Sequence, residues 1–146
     1  MDTRQRRKVA GLVGEAGEAA ARTLLEQGGY GICACNWRPQ GVQQGLELDL
    51  VARKGDTLVF VEVKTRSVPQ GGGIPPLASF TPAKQRKMVR AAQAYLASHN
   101  LWHLPCRFDL VCVTQTPNTP PTLEHFCDVI CLGHSLDSGN AAWQPW

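Results

Sequence analysis

A single α/β domain is expected for this chain of 146 residues, on three grounds. The length suits one compact core that buries roughly 68–70% of the unfolded surface. Apolar residues recur with helical spacing over residues 8–27 and again after Pro82, whereas the segments between and after them alternate or run continuously apolar, as strands do. The composition, 43% hydrophobic and 18% charged, excludes a disordered chain, and no apolar stretch approaches the ~20 residues that cross a bilayer. The element order is α-β-β-β-α-β-β, without internal repeat.

In the first helix, Val9, Leu12, Val13, Ala16, Ala20 and Leu24 form one stripe, and Gly28-Gly29 stops it. Gly14 and Gly17 each cost about 1 kcal/mol there relative to Ala, which close backbone packing or a later helix start would explain. Tyr30 to Asn36 suits a short strand before Arg38-Pro39. Leu46, Leu48, Leu50 and Ala52 then alternate with Glu47, Asp49, Val51 and Arg53, the pattern of a half-buried strand. After Lys54-Gly55-Asp56 the run Thr57 to Thr65 is nearly continuous in apolar residues and should be buried on both faces. A tight turn at Gly55-Asp56 pairs these two strands antiparallel.

Residues 67–80 concentrate Pro and Gly, so no regular element is expected there. Thr81-Pro82 opens the second helix, with Met88, Ala92, Tyr95, Leu96 and His99 as its buried stripe and Arg86, Arg90 and Gln93 on another face. Cys106 to Thr114 and Leu123 to Leu132 read as the last strands, separated by a loop over Pro117 to Pro121.

The net charge of +3 is unevenly spread. Arg4, Arg6, Arg7 and Lys8 cluster at the N-terminus, Lys84, Arg86, Lys87 and Arg90 cluster in mid-chain, and residues 111–146 hold no Lys or Arg. Such clusters can attract a polyanion, although a solvated face explains any single run as well. A pI near 8.6 is below that of a dedicated nucleic-acid binder. The basic N-terminus is not followed by an apolar segment of signal-peptide length, so a cytoplasmic protein is expected, with no membrane partner. The cysteines, Cys33, Cys35, Cys106, Cys112, Cys127 and Cys131, then read as reduced thiols buried like small hydrophobes. A zinc site drawing on His103, His125 or His134 is the alternative.

Glu62 and Lys64 interrupt a face otherwise made of Leu58 and Phe60, where an unpaired charge is expensive. A turn at Gly55-Asp56 sets Asp49 opposite Glu62 and Glu47 opposite Lys64; a turn one residue earlier shifts the pairing but keeps all four on one face. Two carboxylates facing each other across a strand pair repel unless something positive lies between them. A divalent metal such as Mg²⁺ or Mn²⁺ does this, and completes its shell with water and phosphate oxygens. It would activate a water against a phosphodiester, with Lys64 beside it to orient that water or neutralise charge. The alternative is a Glu47–Lys64 salt bridge, with Asp49 and Glu62 turned to solvent.

Asp49, a short hairpin and Glu62-Val63-Lys64, in this order of elements, resemble the PD-(D/E)xK nuclease superfamily. More specifically, the chain resembles the YraN family of uncharacterised, endonuclease-like bacterial proteins. The matching segments are Gly14-x-x-Gly17-Glu18-x-x-Ala21, Asn36-Trp37-Arg38, Glu47-Leu48-Asp49-Leu50, Leu58 to Ser67, Lys84-Gln85-Arg86 and Arg107-Phe108-Asp109. The resemblance implies a restriction-endonuclease-like core of α-β-β-β-α-β order, a mixed central sheet flanked by helices. It implies one nuclease-like domain over residues 1–146, with its core at about 8–114 and a C-terminal extension carrying a further strand.

It further implies that Asp49 and Glu62 are catalytic metal ligands, that Lys64 is the catalytic lysine, and that Glu18 completes the ligand set. For Glu18 an ion pair with Arg22 is the alternative. Gln85 would stand near the site. Lys84, Gln85, Arg86, Lys87 and Arg90, together with Arg66 and the N-terminal basic run, would touch nucleic-acid phosphates, contacts that position a substrate without reading its sequence. Two positions depart from the pattern: Leu48 replaces the superfamily's proline, and Leu46 stands where the family has glycine. The function expected is a metal-dependent nuclease acting on DNA or on structured or single-stranded nucleic acid. The alternative is a nucleic-acid- or protein-binding module that keeps the fold without turnover.

Overall fold

The computed structural model describes residues 2–41, 45–68 and 75–131. In chain order the elements are α1 (Thr3–Gln27), β1 (Gly31–Trp37), β2 (Leu48–Lys54), β3 (Thr57–Ser67), a 3₁₀ turn (Pro76–Ser79), α2 (Pro82–His99), β4 (Cys106–Gln115) and β5 (Thr122–Phe126). They form the expected mixed α/β architecture. The sheet has five strands in the order β1-β2-β3-β4-β5. Its pairs are antiparallel except β3 with β4, which are parallel. Parallel neighbours need a crossover, and α2 lies within it.

Each helix covers one face. Ala21 and Leu25 of α1 pack on Leu50, Val59, Val61, Val111 and Val113. Met88, Val89, Ala92, Tyr95 and Leu96 of α2 pack on Val51, Leu58, Phe60, Phe108 and Leu110. Phe60 stacks on Phe108 at 5.5 Å and meets Tyr95 edge-on at 5.9 Å, so aromatic contacts tie α2 to the two central strands.

Several expectations change. The helix α1 starts at Thr3, ahead of Lys8, because Asp2 and Gln5 form a capping box. β1 runs to Trp37, one residue beyond the expected end. In β2, Leu50, Val51 and Ala52 are all buried; covered on both faces and paired on both edges, this strand is not half-exposed. Within the Pro-rich stretch a 3₁₀ turn forms at Pro76–Ser79, where proline fixes φ and Ser79 Oγ donates to Pro76 O at 3.0 Å; residues 69–74 lie outside the described residues.

His99 is exposed, stacked on Tyr95 at 4.0 Å instead of completing the buried stripe. β5 stops at Phe126, short of Leu132. Asp128 turns the chain with φ 55°, its N–H donates to Asp109, and Val129 N–H donates to Phe108 O. Leu132 and the tail, including His134, lie outside the described residues. Cys112 is buried and Cys106 half-buried, but Cys33, Cys35, Cys127 and Cys131 are exposed. Cys33 and Cys35 are exposed because β1 is an edge strand that neither helix fully covers, and all six are free thiols.

Candidate active site

The hairpin fixes the acidic centre. Gly55, at φ 59°, makes the turn with Asp56, and the register pairs Lys54 with Thr57 through to Leu50 with Val61. Asp49 comes next on β2. Its Oδ2 accepts the Val63 N–H at 2.9 Å, so a side chain replaces the backbone ladder at this point. Glu62, on the α2 face of β3, lies within hydrogen-bond reach of Asp49.

Burial is the main reason both carboxyls resist ionisation. Asp49 is pushed up to about 6 by burial and, against the Val63 hydrogen bond, by the charges of Glu18 and Glu47. Glu62 is pushed up to about 8 by burial and by Asp49, against the pull of Lys64 and Lys84. Glu18, on α1 and on the opposite face of the sheet from α2, acts on Asp49 through its charge. The structure thus brings Asp49 and Glu62 together, whereas the ligand oxygens of Glu18, Asp49 and Glu62 do not all lie within 4.8 Å of one another.

A cationic group stands beside them. Lys64 follows Glu62 on the same face of β3, and Lys84 in the first turn of α2 lies within hydrogen-bond reach of it. The second lysine is held in place, since Lys84 Nζ donates to Ser79 O at 3.0 Å and Thr81 Oγ1 caps the helix by accepting the Lys84 N–H at 3.3 Å. Lys64 pushes the Lys84 ammonium down, as a like charge does.

The alternative pairings do not form. Glu47 pairs with Arg38 at 3.2 Å, and Arg22 pairs with Glu26 at 2.8 Å, so neither takes Lys64 or Glu18. Gln85 is bound to its own loop, Nε2 donating to Phe80 O at 2.9 Å. Arg66 Nε donates to Thr114 Oγ1 at 3.3 Å. Arg86, Lys87 and Arg90 are exposed on α2. Among the expected phosphate-contacting residues, Lys84 is the one brought against the acidic centre.

A second polar cluster lies away from this site and is not evident from spacing. Asp109, wholly buried, accepts from Arg107 at 2.9 and 2.8 Å, from Asp128 N–H at 3.0 Å and from His125 Nε2 at 2.7 Å. Cys127 completes a group whose ligand-type atoms lie within 4.8 Å of one another. The four contacts use the acceptor capacity of the Asp109 carboxylate. Burial also pushes the Cys127 thiol up. The cluster pins β4 to β5 and to the turn after it, and exposed His103 has no part in it.

Among the described residues, no helix is long and apolar enough to cross a membrane. The model of the uncharacterised protein family UPF0102 matches residues 17–113, a span that takes in Glu18, Asp49, Glu62, Lys64 and Lys84. A UPF0102 protein of Nitratidesulfovibrio vulgaris (strain DP4) is 47% identical over 133 residues, covering 91% of this chain and 94% of its own length. Relatives described in the same way in Lawsonia intracellularis (38% over 134 residues, 92% and 96% covered) and Geotalea uraniireducens (43% over 122 residues, 84% and 91% covered) extend the likeness. The chain belongs to the uncharacterised protein family UPF0102.

Proposed function

We propose that this protein is a metal-dependent nuclease of the PD-(D/E)xK type, hydrolysing phosphodiester bonds in nucleic acid. The observation that carries the proposal is the closeness of the Asp49 and Glu62 carboxyls, set by the hairpin register and the Val63 N–H, against the Lys64–Lys84 pair. Two like-charged carboxyls held together favour a cation between them, and two like-charged ammoniums held together favour an anion. A phosphodiester brought to a metal-bound centre satisfies both requirements.

The donor set suits a hard divalent cation of the Mg²⁺ or Mn²⁺ class, since Asp49, Glu62 and Glu18 offer only oxygen and no sulfur or imidazole lies among them. Such an ion, when bound, supplies positive charge to the scissile phosphate and lowers the pKa of an attacking water. The chain does the rest. Val63 N–H fixes the Asp49 carboxylate in one orientation, and Glu62 would hold the ion beside it as a carboxylate. Lys64 stands where it can orient the attacking water, and Lys84, tethered to Ser79, positions a phosphate oxygen and offsets the charge that develops on it.

The test is cleavage of plasmid, single-stranded and branched DNA by purified protein with Mg²⁺ or Mn²⁺. The expected result is metal-dependent cleavage lost in Asp49→Ala and in Lys64→Ala. Cleavage that persists undiminished in either variant would overturn the site assignment. Calorimetric titration with Mn²⁺ separates the non-catalytic alternative, which predicts no ion binding dependent on Glu62.

A further inference from the structure

The pairing of β4 with β5 sets Leu110 opposite Phe126 and Val111 opposite His125. Continued by one residue, the same register places Asp109 opposite Cys127. The period of two then puts Asp109, His125 and Cys127 on the face of Val111, which α1 covers. Cys127 Sγ lies 3.7 Å from His125 Nε2, which in turn lies 2.7 Å from Asp109 Oδ2. The hydrogen bonds that hold this corner together come from Arg107, His125 and the Asp128 N–H, and they are complete without the thiol. Cys127 is thus a third metal-type donor, set beside a carboxylate and an imidazole from an exposed position.

We infer that Asp109, His125 and Cys127 form a second metal site, for a zinc-class divalent ion, on the face of the sheet turned away from Glu62. The inference stands apart from the nuclease reading above. Thiolate and imidazole donors select zinc over the hard cations that all-oxygen sites take. In a tetrahedral site with Zn–S of about 2.3 Å and Zn–N of about 2.0–2.1 Å, sulfur and nitrogen lie about 3.5 Å apart. His125 and Cys127 already stand at 3.7 Å. Imidazole and carboxylate donors in such a site lie about 3.3 Å apart, so the His125–Asp109 pair opens by about 0.6 Å from its 2.7 Å when the ion replaces the proton between them.

Neutral His125 frees Nε2 by carrying its ring proton on Nδ1, and Cys127 releases its proton to solvent on binding as the thiolate. Asp109 loses no contact. Its Oδ1 keeps Arg107 Nε and the Asp128 N–H, while its Oδ2 keeps Arg107 Nη2 and exchanges the His125 proton for the ion. Arg107 is itself held by the Tyr30 hydroxyl, to which it donates at 2.6 Å. These outer partners orient the carboxylate from behind, as they do in metal sites generally. Asp109 and Cys127 meet the two charges of the ion, and the fourth position falls to water on the side that exposed Cys127 keeps open.

Cobalt tests the site, because a thiolate bound to Co²⁺ gives a charge-transfer band in the near ultraviolet that carboxylate ligands do not give. The full chain, stripped with EDTA, freed of chelator and kept reduced, is titrated with Co²⁺ and then with Zn²⁺. The same titration in Asp49→Ala removes the contribution of the acidic centre. We expect the band to saturate at one equivalent in both proteins, Zn²⁺ to displace it, and Zn²⁺ to raise Tm. Cys127→Ser, at an exposed position outside the hydrogen-bonded pin, should lack the band. In the Asp49→Ala background it should weaken Zn²⁺ binding by more than the roughly 10–100-fold that loss of an outer partner costs. His125→Gln, whose amide can still donate to Asp109, should lose the band as well. No band in the natural chain, a band that survives in folded Cys127→Ser or His125→Gln, or one lost in Asp49→Ala would overturn the inference.

Discussion

Gly17 and Thr65 meet where α1 and β3 touch, at a separation that leaves room for hydrogen and nothing larger. Gly17→Ala should gain about 1 kcal/mol in helix propensity yet lose about 1–3 kcal/mol to overpacking against a β-branched neighbour. Net destabilisation is expected by urea titration, relieved in part when Thr65→Ala removes the hydroxyl and methyl. Gly14→Ala faces open space and should stabilise by about 0.5–1 kcal/mol. If both glycine variants shift stability in the same direction, the Gly17–Thr65 contact does not set the path of the helix.

Asp109→Ala should cost about 3–5 kcal/mol, because it leaves Arg107 partly buried without its carboxylate. Burial alone would raise the Asp109 pKa, but hydrogen bonds from Arg107, Asp128 N–H and His125 hold it below the usual carboxylate range. A depressed folded-state value means that the stabilisation is present above the unfolded pKa of about 3.9 and is lost as pH falls through the folded value. Asp109→Asn should therefore unfold at higher pH in the acid range and, at neutral pH, at lower urea concentration. An acid transition identical to wild type would contradict this role.

In the metal-free protein the Asp49–Glu62 pair has the opposite sign. Both folded-state values are raised, to about 6 and about 8, so the folded protein binds protons more tightly than the unfolded chain does. The stabilisation is complete below the unfolded values near about 4 and is lost as pH rises through the folded ones, on the order of several kcal/mol by about pH 8. Glu62→Gln keeps a hydrogen-bond donor for Asp49 without the ionisable proton. Urea titrations in EDTA from about pH 5 to about pH 8, which span the raised values, should show a flatter pH profile and greater stability at the alkaline end for this variant. Parallel profiles would refute the assignment.

Binding of Mg²⁺ or Mn²⁺ should reverse that loss and release protons. At an ion concentration about 100-fold above Kd the folded state gains about 2.7 kcal/mol, a rise in Tm of about 5–10 °C for a chain of this size. The rise should be larger at alkaline pH, where Glu62 is already ionised, and absent in Glu62→Gln and Asp49→Asn. Calorimetry in buffers of different ionisation enthalpy reads the released proton directly.

What could be read from the chain follows how local the determinant is. Gly55-Asp56 is a turn with its own chemistry, so the pairing of Lys54 with Thr57 and onward follows from it. The period of two in a strand then puts Glu62 and Lys64 on the face of Leu58 and Phe60. The charged partners are not legible in this way. Glu47 is taken by Arg38, from the loop after β1, and Arg22 by Glu26 in its own helix, while spacing alone offers Lys64 and Glu18. The Asp109 pin joins residues 107, 109, 125 and 128 through a turn whose left-handed Asp128 has no distinctive local signature.

The acidic half of the site is a product of one hairpin, whereas Lys84 reaches Lys64 across the connection between two parallel strands. The two halves are therefore independently adjustable. Lengthening or shortening residues 68–80 shifts the α2 lysine relative to Lys64 while Asp49 and Glu62 stay locked in register by Gly55 and Asp56. Under the proposed nuclease function, ion affinity and turnover can consequently diverge between relatives that differ only in that connection.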